Sequence, residues 1–367
     1  MKNRTSLPGM DTPVKLPPVI ERTRRPEAKR VVGLDVARGL LMAYVVIIIH
    51  GSFWLGIIPA PANSILLFEM PLIFIVSGAA FAHAPQPTTL RAYGFYLLSR
   101  GVRILAPYWA YTLVCALIVI YARQMPPLET IMAWLDPFRT GAGHAYMMLS
   151  WHLWFVAPFL AVTALMPLLS RLPVWRMAPL WVWAAAGASI VLAADVLAPR
   201  VDMVGRESVT YLLWALFGFG LGAGAARFAT RDYGVVLAGA LAAMAAALTL
   251  YPAHTSAVMQ ANKFPPNAMF FLFSCAWVAV WLIAACMLDA KWIESLAQAA
   301  WLKPFIKSGY SIYLWQGLGY TIASLVGRPN HWNVFVIWLV AIALTVALGM
   351  LASPLERLRV RAKPRTA

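Results

Sequence analysis

Long apolar runs recur along the chain from about residue 40 to residue 352, separated by shorter segments that hold most of the charged residues. Each run approaches the ~20 residues that an α-helix needs to cross a lipid bilayer. Runs of this length indicate a bundle of membrane helices and not a β-barrel. The predicted spans are residues 38–57, 64–83, 102–122, 150–170, 179–198, 209–227, 234–252, 269–289, 309–326 and 333–352.

The predicted fold class is therefore all-α: a polytopic integral membrane helical bundle of about ten transmembrane helices. Residues 1–32 contain Pro, Lys, Arg and Glu but no apolar run, which is typical of a disordered cytoplasmic tail and not of a signal peptide. We expect the membrane domain to occupy residues 33–353 and a second basic cytoplasmic tail to occupy residues 354–367.

Composition supports this interpretation, because 61% of the 367 residues are hydrophobic and only 12% are charged. The three Cys residues lie inside apolar runs without metal-ligand spacing. We expect them to pack as small hydrophobic side chains, and we expect no metal site.

The net charge of +16 could suggest a nucleic-acid partner, but the positions of the basic residues argue against one. With ten spans and a cytoplasmic amino terminus, both termini are cytoplasmic. The outer segments then hold only six of the 30 Lys and Arg residues, namely Arg123, Arg139, Arg200, Arg206, Lys263 and Arg328. This asymmetry is the positive-inside signal of membrane proteins, so we predict a lipid bilayer and no nucleic acid as partner.

His50 is a polar residue inside the first apolar run, in the stretch VVIIIHGSFW. A helix rises ~1.5 Å per residue, which carries His50 about 18 Å from Arg38 and into the outer half of the bilayer. Such a histidine either donates a hydrogen bond to a neighbouring helix as a structural element or acts as a base or nucleophile.

Glu69 lies in the second run, NSILLFEMPLIFIVSGAAFAHA, near the predicted depth of His50. A carboxylate inside the membrane needs a partner, and two helices joined by a short loop are expected to be neighbours. We therefore predict a pair between Glu69 and His50. The pair could orient a catalytic imidazole and raise its basicity, or it could be purely structural.

Two further groups of polar and aromatic residues stand near predicted helix ends. Arg100 and Arg103 are three residues apart at the cytoplasmic start of the third span, where they could bind the phosphates of a soluble donor or lipid headgroups. His152, Trp151 and Trp154 open the fourth span at the outer surface. The indoles suit an interfacial aromatic belt or stacking on a carbohydrate acceptor.

A glycine-rich stretch, FGFGLGAGAA, lacks the strand and helix context of a nucleotide-binding loop. We predict that its small residues allow close packing between helices.

With these residues in view, the chain resembles the membrane acyltransferase-3 family over nearly its whole length after residue 32. The segments that carry the resemblance, in order, are GLDVARGLLMAYVVIIIHGSF, FEMPLIFIVSGAAF, LLSRGVRILAPYW, SWHLWFVAPFLAVTALMPLL and GYSIYLWQGL.

The resemblance implies a multi-pass enzyme of the bacterial inner (cytoplasmic) membrane that passes an acyl group, often acetyl, from cytoplasmic acyl-CoA to an envelope acceptor. His50 would correspond to the family's catalytic histidine, and the pairing predicted above from the residues would make Glu69 the side chain that orients it. Arg38, Arg100 and Arg103 would bind the donor.

The chain departs from the family pattern at three positions. Eleven residues separate Arg38 from His50 where the family usually has ten, which places Arg38 ~120° around an ideal helix from His50. Gln316 stands where many members have histidine. Glu69 stands where one branch tends to have histidine.

The predicted function is a membrane O-acyltransferase that moves an acyl group, expected to be acetyl, to a hydroxyl group of a carbohydrate or glycolipid acceptor. His50 would act as general base or would carry the acyl group itself, and His152, Trp151 and Trp154 would line the acceptor side. The alternatives are a transporter or flippase that uses the same charges for substrate or proton binding, and a non-catalytic membrane scaffold.

Overall fold

The computed structural model describes residues 31–122, 125–139, 146–172, 179–197, 202–224, 228–252 and 255–358. Most of both predicted tails, residues 1–30 and 359–367, lies outside these ranges. Within them the regular elements are helices, and the only extended pairing is one isolated bridge between Lys263 and Pro266. The α-helices are α1 Val32–Tyr44, α2 His50–Leu55, α3 Glu69–Ala82, α4 Leu90–Tyr121, α5 Leu128–Leu135, α6 Val156–Leu169, α7 Leu180–Val196, α8 Met203–Gly222, α9 Thr230–Leu250, α10 Met259–Lys263, α11 Ala268–Cys286, α12 Ala290–Gln298, α13 Lys303–Gly327 and α14 Val334–Ala352.

The prediction of an all-α polytopic membrane protein is confirmed, but the number ten is not. Seven helical segments within the described ranges are long and apolar enough to cross a membrane. The predicted spans that are not among them correspond to α7, α8 and α13. Helix α7 has only 17 residues, whereas α8 and α13 are long enough but less apolar than the seven spans.

The first span is α-helical at both ends and π-helical in the middle. Helix α1 runs into a π-helical turn, Val45–Ile49, and α2 begins at His50. A π-helical turn contains more residues than an α-helical turn, so the 120° offset expected for a uniform α-helix does not apply to Arg38 and His50. Such turns often occur at functional sites, and here one directly precedes His50.

Helices α3 and α8 run parallel and pack closely along small residues. A β-carbon at Gly78 would clash with the backbone of Ala215, one at Gly218 with Ile75, and one at Gly222 with Ala79. The prediction that the glycine-rich stretch allows close helix packing is confirmed for these positions. The parallel arrangement places the amino-terminal ends of α3 and α8 side by side.

Helix α13 lies at the centre of the bundle, against α14 and α1. Its backbone leaves the helical conformation at Ser308, so the part from Gly309 onward begins as a new helical segment. After α14, a 3₁₀ turn at Ser353–Arg357 contacts α4 and α13 and places Glu356 against the bundle.

The cysteines follow expectation only in part, because Cys115 and Cys275 are buried while Cys286 is exposed.

Candidate active site

A cavity of about 330 Å³ opens among the helices at the end of the bundle that holds Arg38. Its volume is within the range of small-molecule sites. The three arginines predicted to bind a donor, Arg38, Arg100 and Arg103, all line this cavity, although they come from α1 and α4. Lys307 adds a fourth basic side chain, and the acidic residues in the wall are Asp35 and Glu356. We call this space the basic cavity.

Each arginine of the basic cavity is held by neighbours in a different way. The guanidinium of Arg38 donates to the carboxylate of Asp35 at 3.0 Å and to the carbonyl of Ile306 at 3.1 Å. Arg103 Nε donates to the carbonyl of Glu356 at 3.1 Å. Arg100 lies over the ring of Tyr96, 5.7 Å from its centroid. Helix α4 begins at Leu90, so Arg100 and Arg103 lie about ten residues inside it and not at its start.

Tyr313 lines the basic cavity and also lies close to both histidines of the candidate site. The Tyr313 ring lines the cavity, and its centroid lies 6.5 Å from that of His50 and 5.6 Å from that of His152. The Tyr313 hydroxyl donates to the backbone carbonyl of His152 at 2.5 Å, which fixes the ring between the two histidines. Tyr313 thus adjoins both the cavity and His50.

His50 is held by a side chain of α13 and by its own helix. Its Nδ1 lies 2.7 Å from Oε1 of Gln316. Because an amide oxygen only accepts, Nδ1 carries the proton and Nε2 keeps its lone pair. The ring stacks on Trp54, one turn later, with centroids 4.0 Å apart and planes at 29°. This arrangement prepares Nε2 to accept a proton or attack a carbonyl.

The residues predicted for the acceptor side lie in a 3₁₀ segment, Trp151–Phe155, before α6. His152 is buried, and its Nε2 donates to the carbonyl of Leu314 at 2.8 Å. It shares Trp54 as a neighbour with His50, since the Trp54 centroid is 5.8 Å from that of His152. Gly317 makes room for the imidazole, because a β-carbon there would clash with it.

The two tryptophans of that segment lie in different environments. Trp151 is half-buried and packs against an apolar cluster that includes Trp54 and Tyr320. Trp154 is also half-buried, and its ring lies 5.7 Å from the Nζ of Lys263. Only Trp154 therefore lies beside buried charge.

The predicted pair between Glu69 and His50 is replaced by two other pairs. Glu69 Oε1 accepts from the ammonium of Lys263, and both side chains are almost fully buried. His50 is bonded to Gln316 instead. The physical reason is that α10, in the connection between α9 and α11, brings a full positive charge to Glu69, and an ammonium is a stronger partner for a carboxylate than a neutral imidazole.

The sequence interpretation missed two members of the same buried region. Glu207 is 1% exposed and neither carboxyl oxygen has a hydrogen-bond partner among the described residues. Tyr211, one turn later on α8, is fully buried, and its hydroxyl is also unpartnered there. Glu207 lay just before a predicted span and Lys263 was counted as an outer charge. Glu207 and Lys263 could have been found from the sequence, because each is a charged residue beside a long apolar run.

Gln316 was singled out only as a departure from a family pattern, and the structure makes it the partner of His50. Within the described ranges, no group of three or more His, Cys, Asp or Glu side chains could hold a metal ion.

A protein-family model described as an acyltransferase domain matches residues 31–353. Searches of curated proteins and of solved structures found no match.

Proposed function

We propose, from the premise that this chain belongs to the acyltransferase-3 family of membrane enzymes, that it transfers an acyl group from acyl-CoA to a hydroxyl group of an acceptor. The family identifies a membrane O-acyltransferase, so we do not retain the transporter, flippase or scaffold alternatives. The donor, its acyl group and the acceptor are the parts that we propose.

One observation carries the proposal: three arginines from two helices line a single cavity whose wall, at Tyr313, contacts His50. A donor for this site needs anionic groups at one end and a reactive acyl group at the other. Acyl-CoA has both, because its phosphates are separated from the thioester by an extended arm. Guanidinium groups bind phosphate oxygens through charge-assisted hydrogen bonds.

We assign the phosphates to Arg100, Arg103 and Arg38, and the thioester to the end of the cavity near Tyr313. Arg38 and His50 are ~18 Å apart along the first span, a distance that the arm of the donor would have to cover. Acyl-CoA is a cytoplasmic metabolite, so this assignment makes the basic end of the bundle cytoplasmic.

The chemistry that we propose for His50 follows from its tautomer. With Nδ1–H bonded to Gln316, Nε2 takes the proton of the acceptor hydroxyl while the hydroxyl oxygen attacks the thioester carbonyl. The C–S bond breaks, and the thiolate of CoA leaves with the proton that His50 returns. Alternatively, Nε2 attacks the thioester first and displaces the CoA thiolate. The acceptor hydroxyl then takes the acyl group from the imidazole, and its proton passes to the thiolate.

We further propose that the acyl group is acetyl, that the acceptor is a carbohydrate or glycolipid of the cell envelope, and that the protein resides in a bacterial inner membrane. Trp151 and Trp154, which flank His152 in the 3₁₀ segment before α6, are the aromatic side chains that we assign to the acceptor side.

The test uses purified full-length protein and acetyl-CoA labelled in the acetyl group. Wild-type protein should bind the donor, release CoA and transfer label when a hydroxyl-bearing acceptor is present. His50→Ala should bind donor but release no CoA above background. A wild-type protein that neither binds acetyl-CoA nor releases CoA would contradict the proposal.

A further inference from the structure

We infer that four buried side chains, Glu69, Lys263, Glu207 and Tyr211, form a binding site for the hydroxyl groups of a neutral, polyhydroxylated acceptor. We call them the buried polar cluster. The inference rests on the proposed function and deepens it, because it names the residues that would bind the acceptor.

Several hydrogen-bonding atoms of the buried polar cluster are open, in the sense that they have no partner among the described residues. All four side chains are at most 3% exposed. The ammonium of Lys263 donates a hydrogen bond to Oε1 of Glu69. The other carboxyl oxygen of Glu69, both oxygens of Glu207 and the hydroxyl of Tyr211 have no partner among the described residues. Glu207 interacts electrostatically with Lys263, and Tyr211 with Glu207 and Glu69, so the four open atoms share one region. Buried polar groups almost always have partners, which indicates that a ligand supplies them here.

The position of the buried polar cluster relative to the basic cavity also supports the inference. Ser77 on α3 and Ala215 on α8 line the basic cavity. Glu69 and Glu207 each precede these residues by eight positions, which is ~12 Å along parallel helices. Ile73, four positions after Glu69, also lines the cavity, so the buried polar cluster lies next to the part of the cavity wall that α3 and α8 form.

The buried polar cluster also lies close to His50, the reacting group. Lys263 is close enough to interact electrostatically with His50, and Glu69 with Tyr313. Trp154 joins the cluster to the segment of His152, because its ring centroid is 6.1 Å from that of Tyr211. An acceptor held by the cluster would thus lie in the neighbourhood of the His50 imidazole.

The open atoms also define the chemistry of the ligand. Carboxyl oxygens accept hydrogen bonds, and a sugar hydroxyl both donates and accepts, as does the hydroxyl of Tyr211. The ammonium of Lys263 and the carboxylate of Glu69 neutralise each other, so this pair offers no net charge to an ionic ligand. The rings of Trp154 and Phe264, with centroids 4.9 Å apart, supply apolar surface for the C–H faces of a sugar. A neutral saccharide fits these requirements.

The experiment uses the full chain in micelles of lauryldimethylamine oxide, which has no hydroxyl group, with octyl β-glucoside titrated as the acceptor. Acetyl-CoA binding, CoA release, label transfer and thermal unfolding are measured for wild type, Glu207→Met and Tyr211→Phe. Glu294→Gln, which changes an exposed carboxyl on α12, is the control. Tyr211→Phe removes one hydroxyl and keeps the ring, so it remains informative if Glu207→Met does not accumulate.

We expect Glu207→Met and Tyr211→Phe to raise the KM for the glucoside at least tenfold while the Kd for acetyl-CoA stays within twofold of wild type. Glu207→Met should also melt a few degrees higher than wild type, because an unpartnered buried carboxyl has been removed. The control should change none of these values.

Two results would overturn the inference while leaving the proposed function intact. One is an unchanged KM for the glucoside in both variants. The other is a wild-type protein that binds acetyl-CoA and releases CoA but does not acetylate the glucoside. Failure of wild type to bind acetyl-CoA would instead refute the proposed function and, with it, this inference.

Discussion

Nδ1 of His50 lies 2.7 Å from the amide oxygen of Gln316, although the two residues are 266 positions apart in the chain. The contact determines which imidazole nitrogen carries a proton. It also joins the first span, just after its π-helical turn, to the central helix α13. The candidate base is therefore oriented by a neutral amide and not by the carboxylate of Glu69.

If His50 is the base or the nucleophile, His50→Ala should reduce acyl transfer ~10²–10⁴-fold, because general-base catalysis typically contributes that much. Insertion and thermal unfolding should stay close to wild type. The measurement is CoA release per folded molecule. His83→Ala, an exposed histidine at the end of α3, is the control and should keep full activity. Normal turnover in a folded His50→Ala protein would remove His50 from the mechanism.

If Gln316 acts by orienting His50, Gln316→Met should lower kcat ~10-fold or more and leave the donor Kd unchanged, because the Nδ1 proton loses its acceptor. Gln316→Glu, which keeps an oxygen acceptor, should retain more activity than Gln316→Met. Equal activity of the two variants, at equal folded fractions, would show that the hydrogen bond has no catalytic role.

Arg100→Ala and Arg103→Ala should each weaken acetyl-CoA binding by roughly ten- to a hundredfold, since a charge-assisted hydrogen bond contributes ~1.5–3 kcal/mol. The losses should shrink as salt is raised, because Arg103 is exposed and Arg100 is half-buried. Arg91→Ala on the same helix removes an exposed charge that does not line the basic cavity, and serves as the control. Titration of each of the three variants with acetyl-CoA measures the affinity for the donor. If neither cavity variant binds acetyl-CoA more weakly, the two arginines are lipid-headgroup contacts.

Glu69→Gln should destabilise the protein by ~3–5 kcal/mol, because it leaves the ammonium of Lys263 buried without a charged partner. The double variant Glu69→Gln with Lys263→Met should recover most of this loss, since both buried charges are then absent. Unfolding in a detergent of fixed composition measures both. A single variant as stable as wild type would mean that the pair is not buried in the membrane-embedded protein.

Gly78→Leu should destabilise the bundle strongly, because its side chain would have to occupy space filled by the backbone of Ala215. Gly94→Ala on α4 is the matched control, since no atom lies within 4 Å of a β-carbon there. It should be neutral or slightly stabilising, because alanine favours helices more than glycine does. Yield of folded protein and thermal unfolding distinguish the two. Comparable yield and melting temperature of Gly78→Leu and wild type would contradict the close packing of α3 and α8.

Several features of the site could be predicted from local sequence alone. The arginines of α4 were found because their spacing places both on one side of a helix, and the basic cavity contains them together with Arg38. The glycine-rich stretch predicted close packing because small residues allow backbones to approach. These are properties of a segment and its immediate neighbours, which the order of residues records directly.

The sequence by itself determined that the chain is a bundle of membrane helices, because backbone polar groups in hydrocarbon must be satisfied within each helix and long apolar runs reveal this. Only the tertiary structure decided which polar side chains meet. Glu69 and Lys263 are 194 positions apart, and His50 was assigned to Glu69 because a short loop joins their helices. A buried charge takes the strongest partner that packing brings within reach, and that choice depends on which distant helices become neighbours.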